Sequence, residues 1–334
     1  MLDVYLTVDT ECSMGGAWNS PGVVPVAPER AILGRTGVHR YGTPLIMDIL
    51  ESHGLRGVFF AEMFASAVVG DGPLAEAYQE IRARGHDVQL HLHPVFHYYA
   101  ALERGRIGAA QVPSPIDDIG TRPLDAQLGL IEEGLAIFER LLGKRPTAFR
   151  AGNYAASDAT LAALDKLGIR YDSSFNAAYH GTSCLISGAR SINSPWEAGS
   201  LWEVPVTVFT TGAGRLRGMK PLEISAVSFL EIRKVLEQAE QLAMGTVTMI
   251  LHSFSLFKAA DAQLSRLRPD RLVIHRLRRL CGFLAEHRAR FRVRTFAEAP
   301  EPRVDPAGIG VPHLGTLLPA GRRLLQALNR PYRV

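Results

Sequence analysis

The sequence has few cysteines, and their number and positions exclude a disulfide framework. Only three occur in 334 residues, Cys12, Cys184 and Cys281, and they are odd in number and far apart. Small secreted scaffolds carry even, closely spaced sets, and cysteine zinc sites carry pairs such as C-x₂-C. The cysteines therefore indicate reduced thiols and predict a protein of the cytoplasm.

The sequence also lacks a strong charge excess and a long apolar run. Lys and Arg outnumber Asp and Glu by 37 to 33, a small and dispersed surplus that does not indicate a nucleic-acid-binding protein. No apolar run approaches the roughly 18–20 residues that a membrane helix needs. The first residues, MLDVYLTVDTEC, lack the basic and apolar regions of a secretory signal. We therefore expect no transmembrane segment and a cytoplasmic location.

What the sequence does contain is a repeated alternation of strand and helix patterns. Short runs of β-branched and aromatic residues predict strands, and segments with apolar residues three and four apart predict helices between them. The predicted strands are 3–8, 56–60, 87–92, 147–150, 201–209, 246–252 and 290–296. The predicted helices are 43–54, 73–85, 123–143, 157–168, 227–243 and roughly 268–289.

This alternation predicts an α/β protein with a parallel sheet covered by helices. About seven strand–helix units favour a closed or nearly closed (β/α) barrel. An open doubly wound sheet is less favoured, because no G-x-G-x-x-G fingerprint follows the first strand. We assign residues 1–299 to the barrel. Residues 300–334 are predicted to form a Pro- and Gly-rich linker followed by a short basic helix at 316–334. This helix would either dock on the barrel or make peripheral contact with an anionic membrane.

Polar side chains share one face at the ends of two predicted strands. In DVQLHLH the alternation of a strand places His91 and His93 on the face opposite the apolar residues. The first strand ends in VDTE, which places Asp9 and Glu11 together on one face. Imidazoles combined with a carboxylate suit Zn²⁺ and similar divalent ions.

Two further predicted strands end in groups that can do chemistry. TAFR ends in Arg150 and TVTMILH ends in His252. In barrels of this type the active site is built from the carboxyl ends of several strands. Carboxylates, imidazoles and a guanidinium on four separate strands therefore predict a metal-dependent hydrolase.

At these residues the chain resembles the polysaccharide deacetylase superfamily. The resemblance runs from Leu2 to about Phe296 and follows the family's order of motifs. VDTE is similar to the Asp pair of the first motif, GHDVQLHLHPVFH to the histidine motif, RAGNY to R-x-P-[YW], and MILHSF to the last motif. It implies a distorted (β/α) barrel of about seven strand–helix units that binds one divalent metal, with zinc expected.

The resemblance also implies roles for individual residues. Asp9 would be the general base, Arg150 would orient it, and His252 would be the general acid. Glu11 and His91 would bind the metal. The matches to Asn153 and Tyr154 imply substrate binding, although the proline of that motif is absent.

The second histidine ligand stays open between two candidates. The family pattern places Val95 at the ligand position, so the ligand must be His93 or His97. His93 shares a strand face with His91, whereas His97 lies four residues further along, beyond a proline that can begin a helical turn. We favour His93 and retain His97 as the alternative.

The resemblance implies hydrolysis of an N-acyl group, acetyl or formyl, from a sugar or glycan precursor. We expect a nucleotide-linked or lipid-linked sugar of cell-envelope synthesis, since the chain shows no export signal. A cyclic-amide or ureide hydrolase of the same superfamily and a non-catalytic glycan-binding or scaffold protein are the alternatives. A phosphoesterase is disfavoured because such proteins place H-x-H after the first strand. The Gly- and Pro-rich segment 14–30 is expected to form a rim over the site.

Overall fold

The computed structural model describes residues 1–189, 191–213, 218–298, 301–305 and 309–316. Its strands are β1 (Leu2–Thr10), β2 (Arg35–Thr36), β3 (His39–Arg40), β4 (Val58–Glu62), β5 (Asp87–Leu92), β6 (Ala148–Ala151), β7 (Tyr171–Asp172), β8 (Trp196–Ala198), β9 (Leu201–Glu203), β10 (Val208–Thr211), β11 (Gly218–Pro221), β12 (Thr246–His252), β13 (Phe257–Ala259), β14 (Leu267–Pro269), β15 (Phe291–Arg294) and β16 (His313–Leu314). Its α-helices are α1 (Pro28–Ala31), α2 (Thr43–Ser52), α3 (Ser66–Val69), α4 (Asp71–Ala83), α5 (Pro94–Glu103), α6 (Leu124–Leu142), α7 (Asp158–Lys166), α8 (Phe229–Gln241) and α9 (Arg271–Glu286).

Nine strands form one large sheet in the order β12-β1-β4-β5-β6-β7-β9-β8, with β15 beside β4 on the same edge of β1. Every pairing in it is parallel except that of β8 with β9. The sheet curls into a half-barrel with helices around it, which confirms the expected α/β class and distorted (β/α) barrel.

The central strands are buried from end to end because both faces of a parallel sheet are covered. All nine residues of β1 and all six of β5 are buried, including their polar ones. Such strands lose the simple inside–outside alternation of a half-exposed sheet, since one face meets the helices and the other the barrel interior. The buried polar residues are therefore those that face the interior and its open end.

Irregular backbone completes the wall between β9 and β12. Thr207 donates its backbone N–H to the carbonyl of Thr248 at 3.1 Å, and Ile224 donates to that of Ile250 at 2.9 Å. Residues near 207 and 224 therefore take the place of a regular strand, and the barrel departs here from an ideal closed one.

The predicted strand at 201–209 is wrong as one element. The structure breaks it into β9 (Leu201–Glu203) and β10 (Val208–Thr211), which belong to different sheets. Pro205 interrupts the segment and has no backbone N–H to donate to a sheet. The apolar pattern persists because both pieces are buried.

The end of the described chain packs against the barrel. Within the expected linker, β16 pairs in parallel with β10, and the Leu314 side chain is buried. The predicted basic helix at 316–334 lies, apart from residue 316, outside the described residues. No helix in the described part of the chain is long and apolar enough to cross a membrane.

Candidate metal centre and active site

The carboxyl ends of β1, β5, β6 and β12 meet at one edge of the curled sheet. The register places Asp9 beside His252 and His91 beside Arg150. Parallel strands carry their carboxyl ends to the same side, where barrel active sites lie. The residues predicted on four strands thus come together in one place.

Glu11, His91 and His93 form a compact cluster of potential metal ligands. One donor atom from each of the three lies within 4.8 Å of the others. Glu11 Oε2 is 2.5 Å from His93 Nε2 and 3.7 Å from His91 Nε2. All three side chains are buried or nearly so, which limits competition from water.

The second nitrogen of each imidazole is held by an acceptor. His91 Nδ1 lies 2.7 Å from the carbonyl oxygen of Arg150, and His93 Nδ1 lies 2.6 Å from Asp117 Oδ2. Because these oxygens only accept, Nδ1 carries the proton in each ring and donates it. Each Nε2 therefore faces Glu11, as in metal-binding histidines whose outer nitrogen donates to a carboxylate or carbonyl.

The charges of the cluster favour a cation. Burial opposes the ionisation of Glu11, but the imidazoles of His93 and His91 hold its pKa well below the ordinary value. Burial also opposes the charge of His93, yet Asp117 and Glu11 raise its pKa well above the ordinary value. Two carboxylates thus flank one imidazole, which leaves an excess of negative charge.

His97 lies on helix α5, away from this cluster. Its Nδ1 is 3.0 Å from Glu133 Oε2, and its ring packs against Phe64 at 5.5 Å between centroids. Pro94 begins the helix, which turns His97 away from the strand face that carries His91 and His93. Of the two candidate residues, His93 lies in the cluster with Glu11 and His91, whereas His97 pairs with Glu133 outside it.

Asp9 is clamped by the fully buried Arg150. Arg150 donates from Nη1 to Asp9 Oδ1 at 2.6 Å and to Thr7 Oγ1 at 2.9 Å. It also donates from Nε and Nη2 to the carbonyl and hydroxyl oxygens of Ser173. The face of Phe60 lies 4.2 Å from the guanidinium carbon. Because all three guanidinium nitrogens donate hydrogen bonds, Arg150 holds the Asp9 carboxylate in one orientation.

His252 lines the same cavity as Asp9 and the metal cluster. This cavity has a volume of about 350 Å³. The His252 ring stacks on Phe254 at 5.1 Å between centroids with planes 25° apart. The ring therefore packs at the cavity wall, at the end of β12 and beside Asp9 of β1.

Asn153 and Tyr154 reach the cavity through an unusual turn. Both residues have left-handed backbone angles, with φ of 55° and 56°. The turn points Tyr154 into the cavity, where its ring stacks on Tyr179 at 5.6 Å. Asn153 Nδ2 donates to Asp117 Oδ2 at 3.1 Å. Both predicted substrate-binding residues thus line the cavity without the proline of the family motif.

Three acidic residues near the site were not predicted from the sequence. Asp117 lies in a loop, and its only sequence signal is an Asp pair among Ser and Pro. Glu223 lines the cavity from irregular backbone beside β12. Glu62, at the end of β4, is fully buried and accepts from the backbone N–H groups of Phe64 and Ala65. Burial raises the pKa of Glu62 to about 7.

No protein-family model and no curated protein matches the sequence. Solved structures do match. A candidate polysaccharide deacetylase from Mycobacterium smegmatis is 17% identical, with a TM-score of 0.48, over 91% of this chain and 95% of that chain. A family 4 carbohydrate esterase from Streptomyces lividans is 11% identical, with a TM-score of 0.44, over 91% and 97%.

The matching structures come from more than one kind of enzyme. A 4-alpha-glucanotransferase from Thermococcus litoralis also matches, at 12% identity and a TM-score of 0.50, over 95% of this chain and 42% of that chain. Pseudoenzymes of carbohydrate esterase family 4 are among the matching structures as well. At such low identities these matches concern the fold and not the activity.

The donor set fits a divalent metal. Two imidazoles and one carboxylate form the usual protein part of a catalytic zinc site, which leaves further positions for water and substrate. Metal binding would release the proton that the raised pKa of His93 retains. The outer nitrogens are already bonded to acceptors, so the two Nε2 atoms need no rearrangement to bind.

Proposed function

We propose that the protein is a divergent member of the polysaccharide deacetylase superfamily that hydrolyses an N-acyl group, acetyl or formyl, on a sugar or glycan precursor. The observation that supports this proposal best is the convergence of Glu11, His91 and His93 beside the Asp9–Arg150 pair. A metal-ligand cluster next to a fixed carboxylate is the arrangement that hydrolysis of an amide needs.

In this proposal Glu11, His91 and His93 hold a divalent cation, with zinc expected from two imidazoles and a carboxylate. When bound by these residues, the cation would supply activation of a water molecule and compensation of the negative charge on the amide carbonyl oxygen. Asp9, oriented by Arg150, takes the proton of the attacking water.

The amine leaves poorly unless it is protonated, so a second group must donate a proton. His252 lies in the same cavity, and an imidazole can both donate and accept a proton near neutral pH. The stacked rings of Tyr154 and Tyr179 offer a flat apolar surface for a sugar ring. We assign these residues to acid catalysis and substrate binding.

We further propose that the protein acts in the cytoplasm, in the synthesis of a cell-envelope polysaccharide. The three cysteines are unpaired and buried, which suits a reducing compartment. The proposed role in polysaccharide synthesis depends on the resemblance of the motifs. The proposed location in the cytoplasm depends on the unpaired cysteines.

The metal site is tested by elemental analysis of protein purified without a histidine tag. We expect about one divalent metal per chain in the wild type and none in His93→Ala. His97→Ala is the matched control, since His97 pairs with Glu133 outside the cluster, and it should keep its metal. Loss of metal from His97→Ala alone would reverse the ligand assignment.

The activity is tested by release of acetate or formate from N-acylated nucleotide sugars, polyprenyl-linked sugars and chitooligosaccharides. We expect release that EDTA abolishes and that a divalent metal restores. His252→Ala should lower kcat by about 10²–10⁴-fold, the usual contribution of a general acid. Unchanged kcat in this variant would remove His252 from that role.

Two other functions remain as outcomes of these measurements. A cyclic-amide or ureide hydrolase would bind the same metal and release no acyl group from the sugar panel. A glycan-binding scaffold would bind sugars without the metal. The complete set of metal and proton-transfer residues in one cavity favours an enzyme over the scaffold.

A further inference from the structure

Helix α9 presents a row of basic side chains to solvent. Five of its sixteen residues are exposed, and these are Arg271, His275, Arg278, Arg279 and Glu286. Residues spaced three and four apart lie on the same side of a helix, so these side chains form one outer face. None of the three arginines forms a salt bridge with a described residue. Their positive charge is therefore open to a partner outside the chain.

The charges of α9 are not arranged to stabilise the helix itself. Arg271 is its first residue and Glu286 its last, whereas the helix dipole favours anions at the start and cations at the end. The cap is supplied by Asp270, which accepts from the backbone N–H groups of Leu272 and Val273. Helix stability therefore does not explain the exposed arginines, and an external anion does.

The neighbouring helix α8 adds an exposed apolar side chain. The guanidinium carbon of Arg279 lies 4.8 Å from the centroid of the Phe229 ring on α8. In the reverse direction, Arg233 of α8 lies 5.8 Å from the centroid of the Phe283 ring on α9. Leu230, which follows Phe229, is 56% exposed. We call Leu230 and the four exposed basic side chains of α9 the basic face.

Acidic side chains of the two helices do not neutralise the basic face. Glu237 of α8 lies 2.8 Å from Arg233 and 3.8 Å from Lys234, so it is already shared by two cations. Glu286 lies about two turns beyond Arg279 along α9. The basic face therefore keeps an excess of positive charge.

We propose that the basic face docks the protein on an anionic phospholipid bilayer. Arginines on an exposed helix face attract anionic headgroups, and a leucine among them is stabilised where headgroups meet acyl chains. A nucleic acid would offset the charge but would offer the leucine no apolar environment. The residues of the basic face line neither the catalytic cavity nor the larger cavity beside His252. Docking is therefore separate from the proposed active site and from the predicted helix at 316–334.

The proposal is tested by flotation of the full-length protein with vesicles of phosphatidylcholine, alone or mixed in equal parts with phosphatidylglycerol. The wild type should bind the mixed vesicles at least about tenfold more tightly, and added salt should reduce this preference. Arg271→Glu combined with Arg278→Glu should abolish it. A glutamate at the first position of α9 suits the helix dipole, so this change does not weaken the helix.

The matched control reverses two charges elsewhere. Arg106 and Lys166 are exposed and lie outside α8 and α9, and Arg106→Glu combined with Lys166→Glu should bind as the wild type does. Circular dichroism verifies that both double variants are folded. An equal loss of binding in the control would mean that only net charge matters, which would overturn the proposal.

The apolar part of the contact is tested by Leu230→Ser, which should weaken binding to the mixed vesicles several-fold. Val38→Ser is its control, since the Val38 side chain is 92% exposed between β2 and β3, and it should have no effect. Unchanged binding after reversal of Arg271 and Arg278 would overturn the proposal. Binding of the wild type to soluble polyglutamate or duplex DNA, but not to vesicles, would also overturn it and assign the basic face to that partner.

Discussion

The orientation of the histidines in the Glu11–His91–His93 cluster is set by the hydrogen bonds that their Nδ1 atoms donate. Asp117 accepts from His93 Nδ1 at 2.6 Å and from the backbone N–H of Val95 at 3.0 Å. The Asp117 carboxylate therefore joins His93, a proposed metal ligand, to the start of helix α5. A fixed ring orientation and tautomer are what such an outer carboxylate provides to a metal site.

We expect Asp117→Asn to weaken metal binding about 10–100-fold, the usual effect of removing an outer partner of a ligand histidine. The asparagine oxygen can still accept from Val95, so its amide nitrogen turns toward His93 and opposes the present tautomer. The dissociation constant is measured by competition with a chromogenic chelator. Asp118→Asn is the control, because Asp118 contacts Asn153 and not His93. Equal affinities in both variants would show that Asp117 is merely structural.

On the adjacent strands β7 and β9, two buried acidic residues support the turn that contacts Arg150, the residue proposed to orient the base Asp9. Asp172 and Glu203 lie side by side in the sheet and are fully buried, and Asp172 Oδ2 and Glu203 Oε2 have no hydrogen-bond donor among the described residues. Ionisation of two neighbouring buried carboxyl groups at once is disfavoured, so we expect one of them to keep a proton. Asp172 accepts from the Ser174 hydroxyl, next to Ser173, whose oxygens accept from Arg150. The acid pair thus fixes the turn that holds Arg150.

We predict that this acid pair makes stability fall as pH rises. Burial, followed by the charge of Asp172, raises the pKa of Glu203 well above its ordinary value. The folded state then binds more protons than the unfolded state above the ordinary carboxyl pKa of about 4.3, so stability is lost as pH rises from there through the raised pKa. Glu203→Gln stays neutral and should lose less stability than the wild type between acidic and alkaline pH. Urea denaturation across that range measures the difference, and parallel curves would contradict it.

Helix α6 offers a matched pair of glycines. A methyl group at Gly134 would lie 2.5 Å from the Leu92 side chain of β5, whereas one at Gly129 would meet nothing within 4 Å. We expect Gly134→Ala to lower the free energy of unfolding by about 1–3 kcal/mol through overpacking. Gly129→Ala should raise it by roughly 0.5–1 kcal/mol, since alanine is the better helix former. Chemical denaturation measures both, and a stabilising Gly134→Ala would show that α6 does not pack closely on β5.

At the scale of the whole molecule, the Glu11–His91–His93 cluster brings together the ends of strands β1 and β5. Glu11 follows β1, and the two histidines lie at the end of β5, with β4 between them. Their donor atoms come together only in the folded chain. Binding of a metal should therefore stabilise the folded state in addition to supporting the proposed catalysis.

We expect Zn²⁺ at about 100 times its dissociation constant to stabilise the wild type by about 2.7 kcal/mol, which should raise Tm by several degrees. His93→Ala should show no such rise, and His97→Ala should respond as the wild type does. Differential scanning calorimetry with and without the ion provides the measurement. An equal rise in all three proteins would place the bound metal elsewhere.

The sequence determined the local part of the site by itself. A strand places alternate residues on one face, so the pattern of DVQLHLH put His91 and His93 together before any fold was known. The alternation of strand and helix patterns also gave the α/β class, and parallel strands carry their carboxyl ends to one edge. These features depend on neighbours a few residues apart, which a single sequence records.

The tertiary structure decided what depends on loops and on distant segments. Only the structure distinguishes His93 from His97, because Pro94 begins a helix that places His97 beside Glu133. Asp117 and Glu223 lie in irregular segments whose sequences have no periodic pattern, so their positions at the site could not be predicted. The predicted strand that contains Pro205 is divided between two sheets. Contacts between residues far apart in sequence are set by how the chain closes on itself, and no local pattern encodes them.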